Sequence, residues 1–107
     1  MSAKITNSPA FMDVMARVAK ERIRQQELFL AGKFTFTCAS KTADDNRKLR
    51  VLAEEVGEVA EAIDKLEAAE SRGGGAASAL RREELHTELV QVAAVAVAWL
   101  ESMEGQP

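Results

Sequence analysis

The chain has 107 residues, with 14 basic against 17 acidic side chains, a formal charge of −3, one cysteine and one histidine. That length suits one small domain, the mild acidity argues against a nucleic-acid or anionic-membrane binder, which would show a basic patch, and one cysteine with one histidine builds neither an internal disulfide nor a zinc site. With no charged-then-apolar leader and nothing near the ~18 apolar residues of a membrane span, a soluble, reducing, cytoplasmic setting is expected, without nucleic-acid or membrane partners.

Composition leans helical: Ala, Glu, Leu, Lys, Arg and Val dominate, and both prolines sit near the ends. Ser8-Pro9 reads as an N-cap followed by proline at the first helical position, where a missing N–H costs nothing. A first helix is expected over about 9–31, stopped by Gly32. Its apolar marks include Phe11, Val14, Met15, Val18 and Ile23. Over 32–43 the helical period breaks, and Phe34, Phe36 and Cys38 alternate with Thr35 and Thr37. A period of two suggests extended chain. With no partner strand in sight, this reads as a connector held to the bundle by its phenylalanines, or else as a loop over a ligand or a dimer contact.

A second helix is expected over about 44–71, opened by Asp44 or Asp45 at the positive end of its dipole. Leu49, Leu52, Val56, Val59, Ile63 and Leu66 follow a 3-4-3-4-3 spacing, a heptad seam. Gly73-Gly74-Gly75 then forms a hinge that cannot hold helix, so a third helix, about 78–103, should fold back antiparallel. From Leu89 to Leu100 that helix is apolar nearly all round, with Gln91 its only strongly polar side chain. It needs cover on several sides. The reading is therefore an all-α bundle of three main helices within one domain, 1–107, completed by a second copy of the chain.

The run from Leu52 to Ile63 holds Glu54, Glu55, Glu58 and Glu61. At about 100° per residue these acids do not share a face. Glu54 and Glu61 fall on the far side from the seam, whereas Glu55 and Glu58 flank it one turn apart and can converge on one point. On the third helix Glu84, Glu88 and Gln91 share one flank, with Glu88 nearest the apolar centre. A carboxylate there is costly unless paired, and no basic residue follows Arg82 on that helix. Two facing helices with inward acids make either a structural polar network or an oxygen cage for a hard divalent ion such as Mg²⁺.

LAEEVGEVAEAI, Leu52 to Ile63, resembles the EExxE signature of the MazG-like all-α nucleoside triphosphate pyrophosphohydrolases, and RREELHTELVQVAAVAVAWLE, Arg81 to Glu101, resembles the second signature helix of that group. The resemblance covers about residues 45–103, with support from ERIRQQELF between Glu21 and Phe29, and is to short single-domain members of phage or mobile-element type. It implies an intertwined helical dimer or dimer of dimers that uses Mg²⁺, with Mn²⁺ as a substitute, to cleave a (d)NTP into its monophosphate and pyrophosphate. Carried over by position, Glu55 and Glu58 are metal ligands and Glu54 is the first acid of the motif. The family's ExxD pair reads Glu88-Leu89-Val90-Gln91 here, so Glu88 is kept and an amide stands in the aspartate's place, one negative charge fewer; Glu84 followed by Glu88 is the other way to complete the set.

The residue types suit that chemistry. Phosphoanhydrides resist hydrolysis because anionic phosphates repel an anionic nucleophile, and a divalent ion on carboxylates relieves the repulsion. A spare carboxylate, Glu54 or Glu84, is expected to take the water's proton. Lys48 and Lys65 are the expected phosphate contacts, and Phe36, with Phe34, the expected base contact. Trp99 lies in the apolar stripe and reads as packing, His86 as a surface or interface residue, and Cys38 as an inert buried thiol. The alternative function is a non-catalytic helical oligomer that binds a nucleotide or a partner helix through its seam.

Overall fold

Capping chemistry places the helix ends. The computed structural model describes residues 3–34 and 36–105, and its regular structure is entirely helical: a single turn α1 (Ala3–Thr6), then α2 (Pro9–Leu30), α3 (Asp45–Ser71) and α4 (Ala76–Met103). The Ser8 hydroxyl accepts from the Phe11 N–H at 3.4 Å, with Pro9 opening α2. The Asp44 carboxylate accepts from the Arg47 N–H at 2.8 Å and opens α3. Gly32, at φ +80°, ends α2 as its N–H reaches the Phe29 carbonyl and that of Lys33 the Leu28 carbonyl. The expected ends hold to within one residue, except that α4 starts at Ala76, two residues before the expected 78 and directly after the glycines.

No strand forms among the described residues, and Thr35 of the alternating run lies outside them. The segment after Gly32 is a connector in which local bonds replace a ladder: Ser40 N–H to the Thr37 carbonyl at 3.0 Å and Ala39 N–H to the Thr37 hydroxyl at 3.2 Å. Cys38 anchors it in the core beside Val95 and Ala98. The Arg47 guanidinium lies 4.0 Å from the centre of the Phe36 ring. Phe34, expected to hold the connector down, is 47% exposed.

Three bonds fix α3 and α4 as an antiparallel pair: Trp99 Nε1 donates to Asp45 at 3.1 Å, Lys48 Nζ to Ser102 at 2.7 Å, and Arg82 to Glu70 at 3.1 Å. The heptad seam of α3 divides. Leu66 is buried and Leu52 and Val59 half-buried, whereas Leu49, Val56 and Ile63 are 52%, 51% and 38% exposed. Helix α2 lies against α4, where Arg22 forks onto Glu101 and Arg17 reaches Glu83. The buried core is made of small side chains: Ala94, Val95, Ala98, Ala62 and Ala69 join Val18, Cys38 and Leu66. No described helix is long and apolar enough to cross a membrane.

Candidate metal centre

The hairpin register, with Asp45 against Trp99 and Glu70 against Arg82, sets the middle of α3 opposite the middle of α4, and heptad phase turns Glu55 and Glu58 toward that side. One carboxylate oxygen from each of Glu55, Glu58 and Glu88 lies within 4.8 Å of the other two. Glu55 and Glu88 are half-buried and Glu58 is exposed. One oxygen of Glu55 and one of Glu88 are buried with no hydrogen-bond partner among the described residues, an arrangement that costs about 1–3 kcal/mol per group when nothing answers it.

Charge crowding follows. The Glu55 carboxyl is pushed up to about 7, first by burial and then by the charges of Glu58, Glu88, Glu21 and Glu54. Burial also raises Glu88, reinforced by the close Glu58 carboxylate and by Glu61, against the opposing pull of Lys65. Three hard oxygen donors, two with orphaned atoms and raised proton affinity, match what a small divalent cation requires of its ligands.

Beside the trio opens a cavity of about 490 Å³ between α2, the connector, α3 and α4. Glu54, Glu55 and Gln91 form one side; Glu21, Arg24 and Gln25 of α2 and Phe34 and Phe36 of the connector contribute others. Glu21 takes both nitrogens of Arg24, at 2.8 and 2.7 Å, and the Gln25 amide at 3.1 Å.

Of the residues singled out from the sequence, Glu55, Glu58 and Glu88 come together. Gln91, one turn beyond Glu88, lines the adjoining cavity with Glu55. Glu54 is exposed, as its angle implied, but on the cavity wall and not away from it. Glu84 stands apart from the trio, and its carboxylate is taken by Arg81 at 2.9 Å, a partner one turn upstream. Lys65 is exposed and near enough to Glu88 to oppose the rise in its proton affinity. Phe36 is among the residues that line the cavity.

Lys48 needs correcting. It is 3% exposed, and its ammonium donates to Ser102 at 2.7 Å, so it serves as an inter-helix tie and does not face the carboxylates. Its aliphatic stem lets a lysine occupy an apolar position. The α2 group Glu21, Arg24 and Gln25 escaped sequence reasoning, although its i, i+3, i+4 spacing marks one helix face. No family model, curated protein or solved structure matches the chain.

Proposed function

We propose that the chain is a Mg²⁺-dependent nucleotide pyrophosphohydrolase that cleaves a (d)NTP to the monophosphate and pyrophosphate and works as a homodimer or dimer of dimers in the cytoplasm. The observation that carries this reading is the convergence of Glu55, Glu58 and Glu88 within 4.8 Å beside a cavity of about 490 Å³. Glu55, Glu58 and Glu88 would hold a divalent ion there, Mg²⁺ or Mn²⁺, which would supply neutralisation of phosphate charge and a more acidic bound water.

The chain's own residues supply the rest. Glu55, Glu58 and Glu88 hold the ion, and Gln91 offers an amide oxygen where the related motif has a carboxylate. Glu54, on the cavity wall and outside the trio, is placed to accept the proton of the attacking water. Glu84 loses its claim to that role to Arg81. The Phe34 and Phe36 rings give the cavity apolar faces for a base, and Lys65 lies outside its lining.

Titrating Mg²⁺ against a panel of dNTPs while assaying pyrophosphate tests the proposal. Release should require the metal, stop in EDTA, and fall by at least on the order of 100-fold in Glu55→Ala. Full activity in either condition overturns it. The second reading, a non-catalytic helical oligomer, draws support from Gln91 in place of an acid and from the pairing of Glu84 with Arg81. Melting curves separate the two, since a ligand that binds only the folded chain raises the melting temperature. No shift with Mg²⁺ or nucleotide favours the oligomer.

A further inference from the structure

The turn end of the α3–α4 hairpin carries a second pocket, of about 220 Å³, lined by Lys65 of α3, Arg72 just after that helix, Arg81 of α4, and small residues including Gly74 and Ala77. No carboxylate lines it, in a chain whose formal charge is −3. Arg81 is partly answered by Glu84, and the neighbouring Arg82 goes to Glu70. Lys65 and Arg72 have no ion-pair partner among the described residues. The volume equals roughly seven waters at ~30 Å³ each, room for a hydrated oxyanion.

The backbone contributes independently of these charges. Gly73, Gly74 and Gly75 hold φ of +107°, +75° and +71°, a path that brings main chain to the pocket wall at Gly74 without a Cβ in the way. Gly75 caps α4 with no side-chain acceptor, so the leading N–H groups of that 28-residue helix, near Ala77, add positive potential. The Ser78 hydroxyl, 3.4 Å from where a Cβ on Gly74 would lie, is buried with no hydrogen-bond partner among the described residues.

We infer that this pocket binds the phosphoryl group of a small phosphate compound, held by Arg72 and Lys65 and steadied by Arg81. A guanidinium fork suits two phosphate oxygens at once, and nothing lining the pocket repels them. The site stands whether or not the carboxylate trio holds a metal.

Inorganic phosphate, pyrophosphate and AMP are titrated into ¹⁵N-labelled protein in EDTA, with chloride at matched ionic strength as the control. All three phosphates should shift the Gly74 and Ala77 amides saturably and chloride should not, because the shared phosphoryl group is the ligand. Arg72→Gln should weaken binding about tenfold, the effect of one charge-assisted hydrogen bond. Ala77→Asp should abolish it while keeping α4 intact, since an acid in a first helical turn suits the dipole. Chloride giving the same shifts, inorganic phosphate giving none, or both variants binding like the parent chain overturns the inference. Pyrophosphate release by the carboxylate site plays no part in this readout.

Discussion

Glu55 is the residue at which burial and charge conflict most openly. Its folded-state carboxyl is pushed up to about 7, while in the unfolded chain it titrates near the ordinary ~4.3 of glutamate. Between those values the folded state retains a proton that the unfolded state has released, so stability falls as pH rises across that window and the whole penalty is in place above it. Metal-free protein should therefore melt lower at pH 8 than at pH 5.5, and Glu55→Gln should flatten the dependence. Because the group is partly solvated, the gain in the variant at pH 8 is set at ~1 kcal/mol, worth roughly 4–8 °C in a domain of this size. Calorimetry over pH 4.5–8 without divalent ions checks it; an unchanged slope in Glu55→Gln would place the titration elsewhere. Lys48 poses the opposite case, a buried cation with no ion-pair partner among the described residues. Ser102→Ala removes its acceptor and should cost about 1–3 kcal/mol by urea denaturation. Lys48→Met keeps the stem and discards the charge, and should cost less than Ser102→Ala.

At the scale of elements, what could be read from the sequence is what local physics encodes. Ser8-Pro9, Gly32 and Asp44 mark helix ends because caps and positive-φ stops act within a turn. The trio was legible for a related reason: the heptad phase turns Glu55 and Glu58 together, and a short glycine joint permits only an antiparallel return that sets Glu88 opposite. The burial of Lys48 was hidden, since periodicity records where a side chain points and not whether its stem is covered. The α2 wall of the cavity was hidden as well, because the way α2 lies against α4 depends on distant pairs such as Arg22 with Glu101. The phenylalanine alternation misled, since a strand pattern without a partner strand has no ladder to form. The joint itself makes a prediction. Gly73 sits at φ +107° with open space where a Cβ would go, so Gly73→Ala meets backbone strain and not a clash, and should cost ~1–2 kcal/mol. A denaturation midpoint equal to that of the parent chain would mean that the turn relaxes.

The whole molecule is too open for its length. A compact chain of this size has a radius of gyration near ~13 Å, yet the Cα atoms give 16.2 Å and extents of 53 × 36 × 24 Å. Its accessible surface is 7502 Å², against about 5,800 Å² for a monomer of this mass. The difference, about 1,700 Å², exceeds the ~800 Å² that each partner buries in an ordinary stable interface. The apolar residues left uncovered are patterned: Leu49, Val56 and Ile63 recur every seven residues on α3, while Met12, Met15 and Ile23 stand out on α2. A heptad stripe open along one helix is what a second helix packs into. The chain should therefore sediment at twice or four times its 11.6 kDa mass. Val56→Glu with Ile63→Glu should shift it to the monomer, because two charges cannot be buried in an apolar seam without partners. Glu55 and Glu58 flank Val56 on the same helix, so separating the copies should also weaken the Mg²⁺ response of the melting temperature. A parent chain that sediments as a monomer under the assay conditions would leave that stripe uncovered and remove self-association from the proposed mechanism.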